Sequence, residues 1–103
     1  MINVIVTYQV NKEFVEQNKK NIQLFLNDFK KLPTENFQYN IFLKEDGITF
    51  VHQSTYKDEA TQASLLNTPS FKEFQKQRDE SGLNNSHKLD ILTYIGSVNK
   101  ILK

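Results

Sequence analysis

The hydrophobic period of this chain changes in an order that few folds accommodate. Residues 2 to 10, Ile-Asn-Val-Ile-Val-Thr-Tyr-Gln-Val, alternate so that Ile2, Val4, Val6, Tyr8 and Val10 share one face, the mark of a half-buried strand. From about Lys12 to Leu32 the period becomes helical. Val15, Ile22, Phe25, Leu26 and Phe29 fall on one stripe, with Lys19, Lys20, Lys30 and Lys31 largely off it as a solvated face. Pro33 stops this helix, because proline disfavours the α conformation of the residue before it. Alternation then returns twice, through Phe37, Tyr39, Ile41 and Leu43 and through Ile48, Phe50, His52, Ser54 and Tyr56. The Asp46-Gly47 turn signal between the two runs makes them a hairpin.

The second half repeats the change of period. After Asp58 a short helix carries Ala60, Ala63 and Leu66 and breaks at Asn67-Thr68-Pro69, where Thr68 is expected to cap and Pro69 to open the next helix. That helix turns Phe71 and Phe74 inward and stops at Ser81-Gly82. Leu89, Ile91, Thr93 and Ile95 then alternate with Asp90, Leu92 and Tyr94 as a fourth strand, and the residues through Lys103 read as a tail or a short dimer-contact segment. Two strand-helix-strand units joined by a hairpin give β-α-β-β-α-β. Right-handed crossovers place the helices on one face of a four-stranded antiparallel sheet, the ferredoxin-like α+β arrangement. The 103 residues suit one domain, 1–103, with no linker rich in Gly, Pro or Ser. A modest apolar fraction of 38% is offset by eight Phe and four Tyr, which remove much area from water per residue ordered.

Charge narrows the partners. Thirteen basic against twelve acidic residues leave a net charge of +1, so no global field draws the chain to nucleic acid or to an anionic membrane. Asp46-Gly47-Ile48-Thr49-Phe50-Val51 invites comparison with an RNA-recognition signature, but only Gly47, Phe50 and Val51 match it. The absence of cysteine excludes disulfides, thiolate metal sites and cysteine nucleophiles. No segment reads as a signal sequence or a membrane span, so a soluble cytoplasmic protein is expected.

The strand face away from the helices holds Ile5, Phe42, Val51, Leu92 and Tyr94 among polar neighbours, a contiguous patch of the kind that marks an interface. A homodimer with the two sheets face to face is therefore expected. On the helix-facing side His52 shares its parity with Tyr8, Tyr39 and Tyr56. A neutral imidazole there is a candidate base, and phenol hydroxyls are candidate donors to an anion. His87, in a polar loop, is too far along the chain to complete a metal site with it, and no Ser-His-Asp order with a nucleophile elbow is visible. No metal, flavin or haem is expected, since neither a ligand cluster nor a phosphate-cradling loop can be found.

The stretch Phe50-Val-His-Gln-Ser-Thr-Tyr56-Lys-Asp-Glu-Ala60, followed by Leu65-Leu-Asn-Thr-Pro-Ser-Phe71-Lys-Glu-Phe74, resembles the antibiotic-biosynthesis-monooxygenase superfamily of dimeric α+β barrels. In that family a strand ending in an aromatic leads through an acidic, Ala-containing helix to a small-residue turn and an aromatic-rich helix. The resemblance spans nearly the whole chain. It implies a cofactor-independent monooxygenase that deprotonates a small aromatic or quinol-like ring, whose carbanion then reduces oxygen. On that basis His52 is the base, Tyr8 and Tyr56 are oxyanion donors, and Val6, Ile41, Phe50, Phe71 and Phe74 line the pocket. Leu65 and Ser70 stand where members often carry histidine. The haem-degrading branch relies on an Asn, Trp and His set, whereas this chain has no Trp and carries Tyr8 at the strand-one Asn position. Two alternatives remain open: a non-catalytic dimeric module holding a small hydrophobic ligand in the same pocket, and an isomerase or decarboxylase of the same barrel type.

Overall fold

Backbone hydrogen bonding realises that order of elements. The computed structural model describes residues 1–83 and 85–99. Its strands are β1 (Ile2–Gln9), β2 (Phe37–Leu43), β3 (Thr49–Tyr56) and β4 (Lys88–Leu92), and its helices are α1 (Val15–Phe29), α2 (Glu59–Leu66) and α3 (Pro69–Glu80). The sheet runs β2-β3-β1-β4, with every neighbouring pair antiparallel. This is the ferredoxin-like α+β fold. The register sets His52 directly between Val6 on β1 and Ile41 on β2, and Tyr8 opposite Phe50.

Local chemistry explains most boundaries. The first helix opens as a single 3₁₀ turn, Lys12–Phe14, without a side-chain cap, and its α-helical part ends at Phe29, four residues before Pro33. In the hairpin Gly47 takes φ +77°, a left-handed conformation that costs a side-chain-bearing residue energy, and nothing lies within 4 Å of where its Cβ would be. The Asp46 carboxylate accepts from the Thr49 hydroxyl and from the Ile48 and Thr49 backbone N–H groups, which holds it below the usual carboxylate range. Asp58 caps α2, accepting from the Thr61 N–H at 2.8 Å. Pro69 opens α3 as expected, but the Thr68 hydroxyl donates back to the Ser64 carbonyl at 3.2 Å instead of capping.

Three expectations need correction. Leu65, not Leu66, is the buried residue of α2, and Ala60 and Ala63 are exposed; the helix is too short for spacing to fix its inner face. Strand four ends at Leu92 rather than Ile95, because Leu92 already pairs with Asn3 and β1 offers only Ile2 beyond it. Leu89 and Ile91 do share the helix-facing side, opposite Val6 and Val4, yet they are 53% and 76% exposed. The aromatic side chains of α1 and α3 pack over β1, β2 and β3 and leave edge strand β4 open. The expected tail lies partly outside the described residues, at 100–103.

The core is an aromatic cluster between sheet and helices. Phe25 sits at its centre, fully buried, with ring centroids 4.9 Å from Phe74, 5.0 Å from Phe71 and 5.1 Å from Phe29. Spacings of three and four residues from Val15 through Asn18, Ile22 and Phe25 to Phe29 put all five on the buried face of α1.

Candidate functional site: a histidine between two tyrosines

That buried face contains a polar group where an apolar one is expected, and it points at the sheet. Asn18 is completely buried, and its Nδ2 donates to the Tyr8 hydroxyl at 3.0 Å. The same hydroxyl lies 2.8 Å from Nε2 of His52, and on the other side of the ring the Tyr39 hydroxyl lies 2.8 Å from Nδ1. Asn18, Tyr8, His52 and Tyr39 thus form one hydrogen-bonded chain running from α1 through β1 and β3 to β2. Strand pleat places the three sheet residues on one side, and the register brings them together.

Apolar rings enclose this chain. Phe74 stacks on His52 at 5.5 Å, Phe50 stacks on Tyr8 at 5.6 Å, and Tyr39 meets His52 edge to face at 5.6 Å. Val6 and Ile41 flank His52 on the adjacent strands, and Phe71 packs against both Phe25 and Phe74. Arg78 on α3, also buried, lays its guanidinium 5.2 Å from the Tyr8 ring centroid and 5.4 Å from that of Phe74, while its edge pairs with the exposed Asp79 carboxylate at 3.0 Å. Face-on stacking of a cation on two rings offsets part of the cost of its desolvation.

Burial decides the protonation states. His52 is 3% exposed, and desolvation, reinforced by the positive charges of Arg78 and His87, pulls its pKa down to about 3. The imidazole is therefore neutral at physiological pH, with one ring nitrogen protonated and the other bare. Desolvation also pushes the Tyr8 and Tyr39 hydroxyls well above the ordinary phenol value, so both keep their protons.

Of the residues singled out in the sequence, His52 and Tyr8 are in direct contact. Val6, Ile41, Phe50, Phe71 and Phe74 surround them in the same core. Tyr56 is separate: it is buried on the same side, but pairs with Ile2 and Phe37 at the far end of β3, about 13 Å along the strand from His52. Tyr39 takes the second place beside the histidine. Asn18 and Arg78 were missed, although each sits in an apolar stripe at helical spacing, Asn18 four residues before Ile22 and Arg78 four after Phe74. A polar residue inside such a stripe is the signal that finds them.

Surface clefts open in at least three places among the described residues. One of about 710 Å³ runs beside edge strand β2 and is lined by Phe37, Tyr39, Asn40, Thr55, Lys57 and five neighbours. A second, about 400 Å³, lies between the ends of β1, β3 and β4, and a third, about 220 Å³, between Pro33 and α2. None is lined by His52, and Tyr39 is the one member of the buried hydrogen-bonded chain that reaches any of them. Among the described residues no three His, Asp or Glu side chains gather as metal ligands would.

The arrangement of sheet, helices and buried polar centre can be compared with known proteins. The chain has the fold of the antibiotic biosynthesis monooxygenases. An antibiotic biosynthesis monooxygenase crystal structure superposes with a TM-score of 0.79 at 13% identity, covering 93% of this chain and 100% of the other. SnoaB from Streptomyces nogalater, a cofactor-independent oxygenase, gives 0.73 at 11% identity over 96% and 97% of the two chains. A conserved protein from Methanosarcina mazei gives 0.68 at 20% identity over 88% and 89%. No protein-family model matches the sequence, and no curated protein does either. At such identities the likeness is one of fold. No helix among the described residues is long and apolar enough to cross a membrane.

Proposed function

We propose that this chain is a homodimeric member of the antibiotic-biosynthesis-monooxygenase superfamily and oxygenates a small electron-rich ring without a cofactor. The observation that carries the reading is the Tyr8–His52–Tyr39 centre: a neutral imidazole held between two phenol hydroxyls at 2.8 Å, inside an otherwise aromatic core of this fold. Burying three polar side chains there costs free energy that Phe or Leu at the same positions would not. A group that takes up a proton and hydroxyls that steady an oxyanion are what the reaction requires. In a ring such as anthrone, a CH₂ loses a proton to the base and the carbanion gives its electrons to O₂. One oxygen atom ends as the new C=O, and the other leaves with the two hydrogens as water. The dimer rests on the sheet face away from the helices, where Phe42 is 56% exposed and Leu92 is also open, beside half-buried Ile5 and Val51.

A second reading, a binding module without catalysis, is favoured by one specific feature. Both nitrogens of His52 are already engaged, its pKa is about 3, and none of the three clefts described above reaches it, so it is a weak base in the unliganded protein. Phe74 stacks on His52, so that packing has to open before a ligand meets the imidazole. Oxygen uptake with a panel of anthrones and hydroquinones, run beside calorimetric titration of the same compounds, separates the two readings. Truncation to Ala would open a cavity and strand two hydroxyls, so His52→Gln is the informative variant. It should bind the ring as the wild type does and lower turnover by about 10² to 10⁴. Binding without oxygen consumption by the wild type leaves the binding-module reading in its place, and full activity in His52→Gln removes His52 as the base.

A further inference from the structure

Asn18 is the one residue of the buried chain with an atom left over. Its Oδ1 is buried and has no hydrogen-bond partner among the described residues, while its Nδ2 is used on Tyr8. A side chain so placed contributes little to packing that Leu would not, and it leaves an acceptor unpaired, which is costly. What it does supply is direction. A phenol hydroxyl has a single proton, so a donor to Tyr8 oxygen forces the Tyr8 proton onward to its other neighbour.

We propose that Asn18 is a positioning residue that sets the direction of the hydrogen-bonded chain, and with it the tautomer of His52 and the identity of the hydroxyl that ends the chain as a free donor. With Nδ2 donating to Tyr8, the Tyr8 O–H donates to Nε2, which must be bare. The ring proton of the neutral imidazole is then on Nδ1, and it is donated to the Tyr39 oxygen. Tyr39 is left with its own proton uncommitted, on the residue that also lines the cleft beside β2. Turning the amide over reverses every step. Oδ1 would accept from Tyr8, Nε2 would carry the proton, Tyr39 would spend its proton on Nδ1, and two amide N–H groups would be unpaired in place of one carbonyl and one N–H. Buried donors without partners are rarer than under-satisfied carbonyls, so the first direction is held. That Tyr39 thereby becomes the donor offered to a ligand oxyanion rests on the functional reading above; the tautomer itself does not.

The test is ¹⁵N NMR of the full chain labelled at histidine, correlating ring nitrogens with the Cδ2 and Cε1 protons. His52 and His87 are the only two histidines, so His87→Gln identifies the signals. The wild type should show a protonated Nδ1 and a bare Nε2. Asn18→Asp, tested above neutral pH, puts an acceptor-only carboxylate against Tyr8 and should invert the pattern. Asn18→Leu, of similar volume, removes the bias and should give a mixture of both tautomers. A wild-type Nε2–H tautomer, an Asp variant that keeps Nδ1–H, or a Leu variant with the wild-type tautomer alone overturns the proposal. If the buried carboxylate prevents folding, the wild type and the Leu variant still decide. No substrate is needed, so a failed oxygen-uptake assay and a failed tautomer assignment are separate results.

Discussion

Acid should destabilise this protein through His52. The imidazole has its ordinary pKa, near 6.5, in the unfolded chain and about 3 in the folded one. Between these values the unfolded state binds one more proton than the native state, so stability falls as pH falls and is regained as pH rises. From pH 7 to pH 4.5 the unfolded ring gains its proton and the folded ring does not, a loss of about 2.5 kcal/mol out of a total of roughly 5 to 15 for a small domain. Asp46 and Asp58, both held below the ordinary carboxylate value of 3.8, lose their stabilising effect in the same direction, but only at lower pH. The assay is urea unfolding followed by far-ultraviolet circular dichroism at pH 7.0 and 4.5. With a slope of about 1 to 3 kcal/mol per molar urea for small proteins, the midpoint should fall by about 1 to 2.5 M. His52→Gln offers both tyrosines an amide that does not titrate, so the drop between the two pH values should largely vanish, whatever its absolute stability. A wild-type loss below about 1 kcal/mol, or an equal pH dependence in the Gln variant, would refute the reasoning.

Other consequences are simpler to state. Val51→Lys puts a charge in the middle of the open sheet face, and light scattering at micromolar concentration should show the proposed dimer reduced to monomer; an unchanged mass removes that face as the interface. Asp58→Ala deletes the cap that accepts from Thr61 and should cost about 1 kcal/mol in denaturant unfolding with the fold intact. Phe25→Ala empties the centre of the aromatic cluster and should cost about 3 to 5 kcal/mol, enough to leave a substantial fraction of the chain unfolded at 37 °C.

Much of the fold could be read along the chain because its signals are local. Period two in 2–10, the Asp46-Gly47 turn, Pro69 and Gly82 each act through a residue's own backbone or its near neighbours and appear in the structure within a residue of those places, while α1 ends at Phe29, a turn short of Pro33. The parity that groups Val6, Tyr8, Tyr39, Ile41, Phe50 and His52 on one face is local in the same sense. Where the signal was short or lay at an edge, it was insufficient: α2 has only eight residues, and β4 alternates correctly while no helix covers it.

The candidate site divides along the same line. Residue types alone determined that a histidine and several tyrosines would face the helices, because the strand pleat has period two. Which of those tyrosines meets the imidazole was decided by the register between β1, β3 and β2, which sets Tyr8 and Tyr39 beside His52 and leaves Tyr56 at the strand's far end. Asn18 and Arg78 joined the site only through packing of α1 and α3 against that sheet, contacts that bring Tyr8 to residues ten and seventy positions along the chain. Burial then turned an ordinary histidine into one that stays neutral down to about pH 3. Desolvation belongs to the folded environment of a side chain, not to its identity, so only the tertiary structure could supply it.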